Sequence, residues 1–269
     1  IAWAASSVLI GYVFGEGFAT ASKYFGRFII IATVAIVLII LGYRFLDKRR
    51  HIFAKYHVYY LVLNAASIYV FSKMVEDYFD KESTYRFDLW LNQNIISLWQ
   101  PWLNKLMIII TNVFSPEILL AVAVIAAIYF FVKKNWYNAA LIFMSSAGAV
   151  VIGAILKQVV GRLRPAGGLI VESGLSFPSQ HAIMALIFFS LIIFLYAEKI
   201  KNKSLKSLFI IGNIFLIVLV GFSRIYLRVH WFSDVIAGFA LGLFWLTFLI
   251  LIFAIIMKLF KDKIYGKQQ

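Results

Sequence analysis

Lys157-Gln-Val-Val-Gly-Arg-Leu-Arg164-Pro165, Pro178-Ser179-Gln180-His181 and Ser223-Arg224-(five residues)-His230-(three residues)-Asp234 are three polar islands in residues 157–234, and the chain between them is almost purely apolar. They carry two of the four histidines, an aspartate and several basic residues. Ionisable groups at the ends of membrane-length hydrophobic runs are costly to hold there and mark function by default. The apolar runs decide the fold class, and convergence of the islands would decide the chemistry.

The chain has 269 residues, 63% of them hydrophobic and 14% charged, and a mean hydropathy of +0.89. A soluble domain is about half apolar and about a quarter charged, so an integral membrane protein is expected. In a soluble protein the net charge of +14 would suggest nucleic acid. Here the position of the charges along the chain accounts for it, and no nucleic-acid partner is expected. Cysteine is absent, which excludes disulfides and thiolate metal sites. No basic segment precedes the first apolar stretch, so no signal peptide is expected.

Apolar residues 1–14 are too short to span a bilayer, which takes about 20 residues, and read as a helix stub or a re-entrant segment. Residues 28–46 form the first convincing span. Arg44, Lys48, Arg49, Arg50 and Lys55 make a basic linker, which sets a boundary between segment 1–50 and a body of 51–269. Further spans are expected at 57–74, from Ser115-Pro116-Glu117 to 132, and at 137–156, 182–197, 207–222 and 235–257. Ser115 caps, Pro116 suits the first turn and Glu117 meets the positive dipole end. Between the first two of these spans, Leu91, Ile95, Leu98, Trp99 and Trp102 recur at helical spacing and predict an interfacial amphipathic helix over 88–102. The expected fold is all-α: a polytopic membrane helix bundle with a six-span core and one or two extra N-terminal hydrophobic segments.

Fifteen of the 26 basic residues fall on one face of this arrangement, among them Lys133, Lys134, Lys199, Lys201, Lys203 and Lys206. The positive-inside rule makes that face cytoplasmic. The span count then puts 157–181 and 223–234 together on the outer, extracytoplasmic face of the cell membrane.

Lys157 and Arg164 lie seven residues apart and can share a helix face, with Pro165 ending that helix. Pro178-Ser179-Gln180-His181 falls where the next span begins, and its free backbone N–H groups would suit an anion. Asp234 is four residues from His230 and, on a helix, reaches its ring. Two guanidiniums, an ammonium, a helix N-terminus and two histidines make a phosphate site with acid–base capacity. Arg162 and Arg228 are expected to do no more than snorkel toward headgroups.

Lys-(six)-Arg-Pro, Pro-Ser-x-His and Ser-Arg-(five)-His-(three)-Asp resemble the three signature motifs of the type 2 phosphatidic acid phosphatase family, over about residues 57–258. The resemblance implies His230 as a nucleophile forming phosphohistidine, Asp234 as its orienting partner and His181 as general acid. It implies phosphate binding by Lys157, Arg164, Ser179, Arg224 and the backbone at Gln180, with no metal and no cofactor. Gln180 and Arg228 stand where the family usually or frequently has Gly, and Phe232 where Pro is frequent. The implied substrate is a lipid phosphate met among membrane lipids: polyprenyl diphosphate, phosphatidylglycerol phosphate or phosphatidic acid. Residues 1–46, through Ala2-Trp3-Ala4, Gly11-Tyr12 and Gly15, resemble the tail of the DedA family, which leaves a lipid transporter or scramblase as a competing class. A lipid phosphotransferase would use the same site. The sequence does not fix an oligomeric state.

Overall fold

The computed structural model describes residues 55–265 and, before them, Val34 and Val37, both helical. The expected stub at 1–14, the DedA likeness and nearly all of the span at 28–46 lie outside the described residues. The described elements are helices α1 (Lys55–Asp80), α2 (Ser83–Asn94), α3 (Pro101–Val113), α4 (Pro116–Val132), α5 (Trp136–Val160), α6 (Gln180–Tyr196), α7 (Lys203–Tyr226) and α8 (Phe232–Tyr265), with short 3-10 turns at Ile95–Leu98 and Ala197–Lys199. No strand occurs among the described residues.

Local chemistry sets the helix ends. Ser115 Oγ accepts from the Ile118 N–H at 3.3 Å, and Pro116 opens α4. Asn135 and Asn202 cap α5 and α7 in the same way, at 3.2 and 3.1 Å. Each supplies an acceptor to an amide that has no partner inside its own helix. Gly161, with φ of 66°, closes α5 in the left-handed region and donates its N–H to the Lys157 carbonyl. The helix therefore stops before Arg164, and a shared helix face is not what brings Lys157 and Arg164 together.

Five stretches are long and apolar enough to cross a membrane among the described residues: Pro101–Val132, Trp136–Val160, Gln180–Lys199, Lys203–Tyr226 and Phe232–Met257. The run expected over 57–74 lies inside the 26-residue α1, which packs along α8 in the most extensive helix pairing of the bundle. The single helix expected over 88–102 is not formed. Its spacing is interrupted by the 3-10 turn at Ile95–Leu98 and by Gln100, which is extended ahead of Pro101. The residue before a proline is pushed out of the helical region. Pro101 instead opens α3, an element the sequence reading passed over, and α3 and α4 together make one interrupted span.

Helix α6 is the centre of the bundle, in contact with α4, α5, α7 and α8. Ala182, Ile183, Met184, Ala185 and Ile187 on it are fully buried, as expected of a helix that is apolar all round. Gly238 and Gly242 let α8 approach it closely. A Cβ at Gly238 would lie 2.7 Å from the Ser179 carbonyl oxygen, and one at Gly242 would lie 3.1 Å from that of Ile183. Small residues four apart allow such backbone proximity between membrane helices. One turn before Gly238, the Asp234 carbonyl accepts the Ser179 N–H at 3.0 Å. The C-terminal ends of α5 and α7 and the N-terminal ends of α6 and α8 thus meet at one end of the bundle, with all three islands. Lys133, Lys134, Lys199, Lys201, Lys203 and Lys206 sit at the opposite helix ends.

Candidate active site

His230 lies in the short connection between α7 and α8 and is buried. Its backbone N–H donates to the Arg224 carbonyl at 3.3 Å, which fixes the connection against the end of α7. The ring is held from both sides: Nε2 is 2.9 Å from Arg164 Nη1, and Nδ1 is 3.3 Å from Asp234 Oδ2. Arginine has no acceptor, so Nε2 accepts and the ring proton resides on Nδ1, facing the carboxylate. Burial, then the charges of Arg224, Arg164 and Lys157, hold the imidazole pKa well below its ordinary range. The ring is neutral, with the Nε2 lone pair turned into the site.

Asp234 stands in the first turn of α8 and is fully buried. Its Oδ2 also accepts the Trp231 N–H at 2.9 Å. It therefore caps its helix and faces His230 with the same oxygen.

Arg164 comes from the loop after α5. It donates to the carbonyls of Ser173, Gly174 and Val229 at 3.3, 3.2 and 2.8 Å. Arg224, on the last turn of α7, is 1% exposed. Between these two guanidiniums lies the Glu172 carboxylate, with one oxygen 3.5 Å from Arg164 Nη2 and the other paired with Arg224 Nη2. Arg224 also donates to the Thr111 hydroxyl. Lys157 Nζ donates to the Leu175 and Ser176 carbonyls at 2.7 and 3.4 Å. A pocket of about 340 Å³, lined by Arg164, Gly167, Gly168, Glu172 and Arg228, opens beside Arg164 and Glu172.

Ser179 precedes α6 and is fully buried, and its hydroxyl has no hydrogen-bond partner among the described residues. His181, one residue into α6, is nearly buried. The Gln180 side chain is not brought into the site. It turns toward α5, where Nε2 donates to the Ala149 carbonyl at 3.3 Å and the amide lies over Gly153.

Arg162 and Arg228 depart from the snorkelling expected of them. Arg162 is 2% exposed and pairs with Asp88 and Asp234 at 2.7 and 2.9 Å. A buried guanidinium cannot be left without counter-charges, and two carboxylates meet it here. Arg228, at φ of 55°, donates to Asn92 Oδ1 at 2.7 Å and to the Gly167 carbonyl. The left-handed backbone is the conformation glycine adopts without strain. Thr111, Glu172 and Asp88 also belong to this end of the bundle and were missed in the sequence. The one local signal was a lone Thr in the apolar run Met107-Ile-Ile-Ile-Thr111.

A helical membrane bundle with a buried histidine, its aspartate and three convergent cations at one end offers a cationic cradle that suits a phosphate group. The PAP2 superfamily model matches residues 138–258. The chain is 33% identical over 177 residues to phosphatidylglycerophosphatase B of Bacillus subtilis (strain 168), covering 64% of this chain and 86% of that protein. It is 32% identical over 154 residues to undecaprenyl-diphosphatase of Sulfolobus acidocaldarius, covering 55% and 68%. Among solved structures it resembles the transmembrane PAP2-type phosphatidylglycerolphosphate phosphatase from Bacillus subtilis, with a TM-score of 0.56 and 29% identity over 72% of this chain and 90% of that one. The chain belongs to the PAP2 superfamily and is a multi-pass membrane phosphatase.

Proposed function

We propose that the protein removes a phosphoryl group from a lipid phosphomonoester or diphosphate at the outer leaflet, through a phosphohistidine on His230. The observation that carries this reading is the Glu172 carboxylate bridging Arg164 and Arg224 beside the neutral His230 ring. An anion already rests where two guanidiniums converge, a geometry that also suits phosphate oxygens.

Nε2 of His230 attacks phosphorus and the bond to the lipid oxygen breaks, with that oxygen taking its proton from His181. The imidazolium formed keeps its Nδ1 proton against Asp234. Water then attacks phosphorus and gives a proton back to His181, the N–P bond breaks, and inorganic phosphate leaves. Lys157, Arg164 and Arg224 hold the charge of the transferring group. The free Ser179 hydroxyl and the Gln180 backbone N–H at the start of α6 complete the cradle. Relatives named for phosphatidylglycerophosphate and undecaprenyl diphosphate support a lipid substrate. The lysines at the far helix ends support an extracytoplasmic site. We place the phosphatase body at 51–269, with 1–50 as a separate segment.

Phosphate release from a panel of purified lipid phosphates tests this reading, with products identified. His230→Ala should abolish release, and His181→Ala should slow both departure of the lipid oxygen and hydrolysis of the phosphoenzyme. Acid-labile phosphate retained on His230→Ala would refute the assignment. Single cysteines introduced at 170 and 203 test the orientation: an impermeant thiol reagent should label 170 in intact cells and spare 203.

A further inference from the structure

We infer that Asp88 and Arg162 are positioning residues for the attack, holding the Asp234 carboxylate in the one orientation that presents Oδ2 to His230. This rests on the reading of His230 as nucleophile. Arg162 Nη1 donates to Asp234 Oδ1 at 2.9 Å and to Ser233 Oγ at 2.6 Å, while Nη2 donates to Asp88 Oδ2 at 2.7 Å. The guanidinium lies 4.7 Å from the ring centre of Tyr78 and 5.1 Å from that of Trp231. Asp88, on α2, in turn accepts the Ser233 N–H at 2.9 Å and the Ser233 hydroxyl. Arg162, Asp88, Ser233 and Asp234 are all buried.

The consequence is geometric. Arg162 occupies Oδ1 of Asp234, and the Trp231 N–H occupies one lone pair of Oδ2. Rotating the carboxylate would break both bonds inside a dry interior, where an unpaired charge is expensive. The remaining lone pair of Oδ2 is therefore committed to the His230 Nδ1 proton, which keeps the lone pair on Nε2. Asp88 fixes Arg162 from its far side, and by capping the Ser233 amide it seats the first turn of α8 that carries Asp234. Neither residue faces the phosphate cradle, so their effect passes through Asp234.

The test uses the full-length protein in detergent or vesicles, with Asp88→Asn, Arg162→Gln and the double variant compared for kcat, KM, single-turnover phosphoenzyme formation and thermal midpoint. Asp88→Asn, which leaves Arg162 paired with Asp234, should lower kcat about tenfold, and Arg162→Gln about a hundredfold or more, each with KM within about threefold. Phosphoenzyme formation should slow by the same factors as kcat. The double variant should lose less than the product of the two single losses, because part of the hold of Asp88 on Asp234 passes through Arg162. Folded Asp88→Asn with unchanged kcat, losses confined to KM, or multiplicative losses in the double variant would each overturn the inference. If Arg162→Gln does not fold, Asp88→Asn decides by its own kcat and KM. Failure of the underlying nucleophile reading shows separately, as activity retained by His230→Ala.

Discussion

Replacing Glu172 by Gln should tighten the binding of inorganic phosphate. The carboxylate pairs with both Arg164 and Arg224, so an entering phosphate must displace it. Two unit charges at contact distance interact by about 4 kcal/mol at an effective dielectric of about 20. Glu172 is 27% exposed while Arg224 is 1% exposed, so water recovers part of that on release. Hydrogen bonds to charged groups are worth about 1.5–3 kcal/mol net, which is the better guide here. Glutamine keeps the shape and a donor-acceptor head but gives up the charge. The inhibition constant of phosphate, or of vanadate, should fall by about ten- to a hundredfold. The assay is competitive inhibition of lipid phosphate turnover, with Glu172→Asp as a control that keeps the charge. A folded Glu172→Gln protein whose phosphate inhibition is unchanged or weaker would refute the reasoning, because the carboxylate would then not compete for the two guanidiniums.

Gly238→Ala should push α8 away from the start of α6, costing about 1–3 kcal/mol of stability and most of the activity, whereas Gly212→Ala, where an added Cβ meets nothing within 4 Å, should be close to neutral in thermal midpoint and turnover. Gln180→Gly should keep turnover within about threefold, since the side chain seats against α5 rather than phosphate; loss of activity in a folded variant would mean that the amide contacts substrate. His230 binds its proton more weakly folded than unfolded, so the unfolded chain carries more protons between the depressed pKa and the ordinary value of 6.5. The stability held by the neutral ring is therefore full above about pH 6.5 and is lost as pH falls toward the folded value. The ring also stays competent to attack as pH drops below about 6.5, and an acid limb of kcat/KM at that ordinary value that persists when His51 and His57 are replaced would contradict its burial.

The spans and the three islands were legible because they are local. Apolar runs, the cap at Ser115, and the count of spans between islands put the polar clusters at one end before any contact was known. What failed was tertiary or depended on a single backbone angle. Gly161 inside Lys157–Arg164 looks like one residue of a helix and is its left-handed end. The apolar spacing across 88–102 runs smoothly over the break at Gln100-Pro101. Arg162 looked like a headgroup anchor because its partners, Asp88 and Asp234, lie 74 and 72 residues away. No periodicity pairs a carboxylate in a polar outer segment with a guanidinium after α5. Glu172 was invisible for the same reason: nothing in its neighbourhood announces two arginines from different elements.

The pairing of Asp88 with Arg162, and of Thr111 with Arg224, limits how far this catalytic unit can be moved. Every signature motif lies within residues 138–258, the stretch that a domain swap or a minimal graft would carry. Asp88 and Thr111 come from helices before that stretch. Transplanted alone, the segment would keep Asp234 and Glu172 but leave Arg162 without its second carboxylate and Arg224 without the Thr111 hydroxyl, and hydrogen bonds to charged groups are worth about 1.5–3 kcal/mol each. Recombination between relatives should therefore succeed when the crossover falls before α2 and fail when it falls between α4 and α5, although the second junction leaves every motif intact.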